Sequence, residues 1–529
     1  MNSVSSRFHD LATGSIRPLD WEVGISWSKE RSQELEWFTL DQSVLNGEDL
    51  LAENTENPIQ IWDAYDYERS RDRVVSLSVN RSVEFPYNIQ SATCDVTLNN
   101  YDHYYSLDNT SSPISSDILP ARPLRAYLGF KGAGVTPVFV GLTEGIPTYS
   151  GTDNTTAQLT AMDFLATIGD MSLKSMVMMM NVRTDQVIAA ILEQFGMSSY
   201  MFNLDHGVNV IPFVYFESGK NAGNALKELV QAENGAMWID EQGIVRFAPR
   251  TAIVGVQSSM TFNPSSIISI TPSATSGIVN KVYVETNVRK VMPFQLIFSN
   301  DNSSGWESEA DEDTYRLGAN GNTEIWLSFD DPVWQCTANP ILNGEDTNSS
   351  FTAVDLQGKA VNSGITGVGI LFATSLKIVF TNTNNFPVSI NYIQIFGEPA
   401  KVVGGEPTIT YTAQDDESIE RFGVQELSIT DNNCFGTVQN VDAFATDVLT
   451  RYAGYSPTLQ LEVKGDPSLQ LHDVITLDGT DYDGDYLIKG ISNSLTDTGL
   501  STTLTVVAHT VLMPFILDQS QLNGEDVLS

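Results

Sequence analysis

Basic residues are scarce in this sequence: 28 Lys and Arg stand against 66 Asp and Glu in 529 residues, a net charge of −38. Phosphate contacts need clustered cations, so the imbalance excludes nucleic-acid binding as the main task and leaves a soluble, self-repelling surface. Cysteine is scarcer still. Cys94, Cys336 and Cys434 are an odd number at wide spacing, with no disulfide framework and no CxxC metal pair. Cys94 alternates with Val96 and Leu98 and reads as a small buried apolar residue. No apolar run approaches the ~18 residues of a membrane span, and Met1 to Arg17 lacks a signal-peptide stretch. A chain assembled in a cytosol, with no membrane-spanning segment, is expected. Catalytic signatures are missing too: there is no HExxH, GxSxG, Walker loop or zinc spacing, and His9, His103, His206, His472 and His509 are scattered singly. No enzyme is expected, and no catalytic, cofactor-binding or metal-binding residue.

What is present is an ordinary globular composition, 41% hydrophobic and 18% charged, long enough for roughly three or four domains. Residues 74 to 170 form the clearest stretch. Val75, Leu77 and Val79 alternate with polar residues, then Cys94, Val96 and Leu98 do the same, ending at the turn formers Asn99, Asn100 and Asp102. Leu124 to Phe130 and Val138 to Val140 add two strands, each expected to end at a glycine (Gly129, Gly141). Gln158 to Ile168 passes from strand to helix. Before this stretch, Met1 to Ile16 reads as a polar arm. Trp21, Val23, Ile25 and Trp27 alternate as a strand whose apolar face needs cover, from its own barrel or a neighbouring subunit.

The order Ala92 to Asn100, Tyr105-Ser106, Ser112-Pro113, Leu119-Pro120, Leu124-Arg125, Val138 to Gly141 and Ala161 to Leu165 resembles the first barrel of the minor tail or baseplate hub proteins of long-tailed bacteriophages. Helices follow. Thr184 to Gly196 is amphipathic on Val187, Ile188, Ile191, Leu192 and Phe195, with Thr184 as N-cap; Asn221 to Glu233 carries Ala225, Leu226, Leu229 and Val230. A hairpin, Met237 to Ile239 and Ile244 to Phe247, closes around Asp240-Glu241-Gln242-Gly243. This arrangement is similar to the small α/β domain of that family. Leu469 to Leu477 with Gly484 to Ser492 resembles its second barrel, after a helix on Val441, Phe444, Val448 and Tyr452 capped by Asn440.

Between these lies a Ser/Thr/Asn-rich region of short β-runs, Ile325 to Phe329, Gly369 to Phe372, Leu376 to Thr381 and Val388 to Phe396, with turn signals every ten residues or so: a β-sandwich. The expected fold is α+β, mostly β. Its parts are an N-terminal arm and first strands (1–73), a first barrel (74–175), a small α/β domain (176–255), a second barrel split into 256–295 and 400–510, a β-sandwich inserted into it (296–399), and a C-terminal tail (511–529).

One segment is used twice. Phe38 to Leu51 and Phe515 to Leu528 agree at 11 of 14 positions, and Leu342 to Asp346 is a shorter echo. The shared Asn-Gly favours a type I′ hairpin, whereas the spacing of Asp41, Ser43, Asn46, Glu48 and Asp49 does not match an EF-hand. A docking hairpin is expected at 38–51 and again in the tail. Asp478 to Asp485 likewise reads as a hairpin loop and not as a calcium loop, since it lacks the later bidentate Glu. Glu228, Glu233, Asp240 and Glu241 raise a glycosidase pair as an alternative to ordinary structural carboxylates. Trp306, Trp326, Trp334 and Tyr315, set among Asn and Asp, offer the stacking faces and polar groups of a sugar site, and equally those of a sandwich core and rim.

The resemblance implies a homotrimeric ring, two barrels per chain, that joins a six-fold tail tube to a three-fold tip fibre or spike and acts in host attachment and DNA ejection. It implies a distal tail or tube ring, a tape measure protein and a central fibre, spike or receptor-binding protein as partners. DNA would pass through an acidic lumen without specific binding, and the location would be the virion's tail tip. The alternative is a carbohydrate-binding tail adhesin acting through the inserted sandwich. A cell-wall hydrolase has only the unplaced carboxylates behind it.

Overall fold

The computed structural model describes residues 4–14, 16–28, 67–83, 89–252, 256–273, 277–300, 315–343, 348–402, 409–455 and 458–509. Strand dominates, as the alternation predicts. Fourteen strands join one sheet, whose main path runs Ile267–Pro272, Leu459–Lys464, Gly499–Ala508, Gly484–Thr496, Val74–Ser82, Thr93–Asn99, Thr156–Met162, Gly134–Thr143, Pro123–Phe130, Leu19–Ile25 and Glu68–Arg69. Val74–Ser82 joins the two halves: it pairs antiparallel with Thr93–Asn99 on one side and with residues 490–495 of Gly484–Thr496 on the other. The first part of that same long strand, residues 484–487, pairs with Val474–Leu477, which in turn holds Met260–Phe262.

Chain length forces both halves to curl. From Val74–Ser82 to Glu68–Arg69 the sheet makes six inter-strand steps, about 29 Å if flat. Residues 70–73 connect those end strands and reach at most about 18 Å. The second half makes five steps from Ile267–Pro272 to Met260–Phe262, about 24 Å, and residues 263–266 span the gap under the same limit. Each half is therefore rolled around its own core. Val23, Ile25, Val96, Leu98, Leu128 and Leu159 fill the first, and Leu461, Val463, Ile475, Ile488 and Leu504 the second. Two closed barrels were expected. Among the described residues no pairing joins the ends of either roll, and each seam is crossed only by the short connections 70–73 and 263–266.

Several local expectations change for identifiable reasons. Residues 6–13, read as part of an arm, form a helix capped by Ser5, whose hydroxyl accepts from the Phe8 amide. Phe8 and Ala12, one turn apart, bury against Phe130, with the Phe8 and Phe130 rings edge to face at 5.0 Å. Val23, Ile25 and Trp27 find their cover in the chain's own first core. Val75 is half exposed because the register shifts between Val74 and Ser76, a bulge that turns it out while Leu77 and Val79 stay in. Gly129 and Gly141 lie inside strands instead of ending them. A Cβ at Gly141 would sit 2.2 Å from the Met162 carbonyl oxygen, and one at Gly129 2.2 Å from that of Gly134, so both mark close backbone approach.

The helical region has the largest core. Thr184–Gln194 and Ala222–Glu233 pack together, with Asn221 capping the second and Asn234, at φ 49°, ending it in the left-handed region. Thr184 is the first helical residue and Arg183 occupies the cap position. Strand Lys281–Thr286 and helix Val438–Tyr452, which the sequence placed with the second barrel, bury Val282, Val284, Val441, Phe444 and Val448 in this helical core. Thr437, not Asn440, caps that helix by accepting from the Asn440 amide.

The sandwich follows from a hairpin. Lys281–Thr286 pairs antiparallel with Ile409–Gln414, Thr286 opposite Ile409, and the intervening residues leave and return there. One of its sheets is Gly321–Ser328, Ser375–Asn382 and Ile365–Leu371, with Ser375–Asn382 central; the other is built around the 15-residue strand Val388–Val402. Phe351 and Phe380 meet edge to face at 4.9 Å between them.

Candidate functional site

The four carboxylates that raised a hydrolase are all engaged. Lys220 Nζ lies 2.7 Å from Glu228. Glu233, fully buried, accepts from the Thr184 hydroxyl at 2.7 Å and from the amides of Val208 and Asn209 at 2.6 and 3.1 Å, with Arg250 Nη1 at 3.8 Å. Asp240 accepts from the Gln242 and Ile244 amides and from Arg246 Nε at 2.8 Å. Glu241 pairs with Arg81 through its Oε1 and accepts from Gln470 Nε2 at 2.8 Å through Oε2.

Asp240 and Glu241 occupy a turn, as expected, but a buried one. Arg81 projects from Val74–Ser82, so its pair with Glu241 ties the helical region to the junction strand of the sheet. Beside it, a cavity of about 300 Å³ is bordered by Trp238, Asp240, Glu241, Gln470, His472 and Asp473. The Trp238 and His472 rings stack at 4.7 Å. Burial pushes the His472 ring down to about 3, and Lys489 and Arg451 push in the same direction. Burial likewise raises the carboxyls of Asp240 and Asp473, against the nearby Arg246 cation in the first case. The arrangement is that of a polar clamp: each acid is held by a hydrogen-bond donor, and the neutral ring serves as packing.

The second candidate lies on the sandwich. The outer face of its three-stranded sheet is built in rows that the register fixes: Trp326, Lys377 and Ile370; then Glu324, Val379 and Val368; then Asn322, Thr381 and Thr366. Trp326 is 53% exposed, and its ring stacks on Phe372 at 5.5 Å and 18°. Lys377 Nζ is 5.9 Å from the centre of the indole and 2.7 Å from Glu324 Oε1. Of the predicted sugar contacts, Trp334 lies on Val333–Cys336 in the other sheet, Tyr315 packs on the sandwich core, and Trp306 is outside the described residues. Sequence reasoning found Trp326 but not its neighbours: Phe372 and Lys377 join it only through strand pairing.

Elsewhere, both copies of the repeated hairpin (38–51 and 515–528) lie outside the described residues, as does most of the shorter echo; its Leu342–Asn343 pairs parallel with Ser350 and Phe351. Residues 478–483 form a turn in which Asp483 accepts from the Thr480 amide. Among the described residues no three His, Cys, Asp or Glu side chains gather as metal ligands. Cys94 and Cys434 are buried and their thiols pushed up by that burial. No described helix is long and apolar enough to cross a membrane.

No protein-family model matches the sequence, and no curated protein is similar to it. Among solved structures, the chain is similar to phage tail and baseplate proteins and to tail-like secretion components. The 43 kDa tail protein of prophage MuSo2 from Shewanella oneidensis is 11% identical, with a TM-score of 0.42 over 83% of this chain and 94% of that one. A tail protein from Neisseria meningitidis is 8% identical, with a TM-score of 0.44 over 84% and 94%. Prophage tail protein gp18 from Listeria monocytogenes is 10% identical, with a TM-score of 0.39 over 84% and 92%.

Proposed function

We propose that the chain is a structural hub of a bacteriophage baseplate or tail tip, three copies of which form a ring between a six-fold tail tube and a three-fold fibre or spike. One observation carries this reading: two rolled strand sets, each on its own core, are fused edge to edge through Val74–Ser82 and Gly484–Thr496 into a single sheet. Two similar wall units per chain let a trimer present six units to the tube and three chains to the tip. The outer strands supply edges for neighbours. Ile267–Pro272 pairs only with Leu459–Lys464 among the described residues and exposes Ile268, while Leu19–Ile25 is paired on its far side only at Gly24 and Ile25.

In this reading the partners are the tube ring above, the tape measure protein and the central fibre or spike below, and the work is holding and opening, with no catalytic step. The net charge of −38 suits a lumen through which DNA slides without being held. Light scattering on the purified chain tests the reading directly. Three times the 58.0 kDa chain mass is expected. A monomer that also fails to trimerise when mixed with its tube-ring neighbour would remove the trimeric hub.

A further inference from the structure

We infer that the outer face of the three-stranded sandwich sheet binds a neutral glycan, with Trp326 as the stacking platform. This goes beyond the hub reading and does not depend on it. The face is small. Three strands span about 10 Å and three rows about 14 Å, far below the roughly 800 Å² that each partner of a stable protein complex presents. The width suits a disaccharide unit lying across the strands.

The chemistry of the rows is ordered in the way a pyranose needs. At one end the half-exposed indole of Trp326 is held nearly parallel to the Phe372 ring, with Lys377 Nζ 5.9 Å from its centre, so its plane is fixed before a ligand arrives. Val368 and Ile370, both exposed, extend the apolar surface across the sheet. A sugar ring whose C–H bonds share one face can rest on such a surface. At the other end Asn322, Thr381 and Thr366 form a row of amide and hydroxyl groups that can exchange hydrogen bonds with ring hydroxyls.

Charge selects against ionic ligands. In a chain of net charge −38 the described residues of this face include one cation and one anion, Lys377 and Glu324, and they neutralise each other at 2.7 Å. An acidic polysaccharide would find no free cation here, and a basic peptide no free carboxylate. The occupant is therefore an uncharged hexose or N-acetylhexosamine chain of the gluco type, whose equatorial hydroxyls leave the C–H face unbroken.

The experiment uses the full-length protein and a panel of neutral gluco- and N-acetylglucosamine-configured oligosaccharides of four to six units, titrated by calorimetry. At least one member is expected to bind with Kd below about 1 mM. Trp326→Ala should weaken it by about tenfold, since an aromatic stack of this kind is lost, and Trp326→Phe should keep most of the affinity. Trp334→Ala, on the other sheet, should leave binding unchanged. Because Trp326 is half exposed and outside the sandwich core, its variants should match the parent's circular dichroism and thermal midpoint. No binding by any panel member, or equal binding by Trp326→Ala, would overturn the assignment.

Discussion

Removing one partner of the Arg81–Glu241 pair should cost far more than removing both. Arg81 and Glu241 are 2% and 1% exposed, and Arg81 Nε and Nη2 have no hydrogen-bond partner among the described residues. Glu241→Leu would therefore leave a buried guanidinium without its counter-charge and free Gln470 from its acceptor. Breaking a pair in this setting costs about 3–5 kcal/mol, whereas replacing both members with apolar residues of similar size is often neutral or stabilising. We expect Glu241→Leu and Arg81→Met each to fall in that range and the Arg81→Met/Glu241→Leu double variant to lie within about 1 kcal/mol of the parent, a coupling of several kcal/mol. Equilibrium urea unfolding followed by circular dichroism reads the midpoints. Repeating it at high salt separates this pair from surface pairs, because burial limits screening and the losses should persist. Single variants as stable as the parent, or losses that simply add in the double variant, would refute the claim that this pair joins helical region to sheet as a unit.

Three other outcomes follow from named contacts. Burial pushes the folded His472 ring from its ordinary value of 6.5 down to about 3, so its contribution is complete above pH 6.5 and is lost as pH falls through that window, by up to about 1.4 kcal/mol per pH unit. His472→Asn, which tolerates the φ of 67° there, should flatten the acid limb of a stability–pH curve. Gly141→Ala should lose roughly 1–3 kcal/mol by thermal unfolding through collision with the Met162 carbonyl and Phe139, while Gly145→Ala, with nothing within 4 Å, should stay within about 0.5 kcal/mol. Asp163→Ala removes the cap of helix Phe164–Asp170 and the acceptor for the Ala92 amide at 2.7 Å; a loss of about 2 kcal/mol in urea unfolding is expected, and none would argue that these amides are solvated.

Short-range pattern carried the strands well. Cys94, Val96 and Leu98 all point into the first core as their alternation predicts, and the helix on Val187, Ile188, Ile191 and Leu192 buries that face. What the sequence could not display was pairing between distant segments. Nothing near Val74 indicates that it will meet residues 490–495, nor does local spacing tell Lys281–Thr286 that its apolar side will join helices instead of the second roll. The helix at 6–13 had a signal, Ser5 before Phe8 and Ala12, but eight residues of low hydrophobicity fall below what periodicity resolves. At the candidate sites the residue types were visible, and their company was not. Trp326 stood out as an aromatic among amides, yet Phe372 and Lys377 reach it only across strand pairs. Asp240 and Glu241 read as ordinary turn acids, and the partner of Glu241, Arg81, lies far away in the chain.

The departure and return of the sandwich at Thr286 and Ile409, directly opposite each other in one hairpin, gives this part of the chain a distinctive evolutionary freedom. To the strands on either side, everything between those two residues is a single hairpin loop, and closing a loop grows more costly only with the logarithm of its length, about 0.6 kcal/mol for each doubling. A lineage can therefore exchange, enlarge or discard the cargo at this position while the register of the supporting strands stays as it is. The sandwich and the strands that carry it can then change at different rates within one gene.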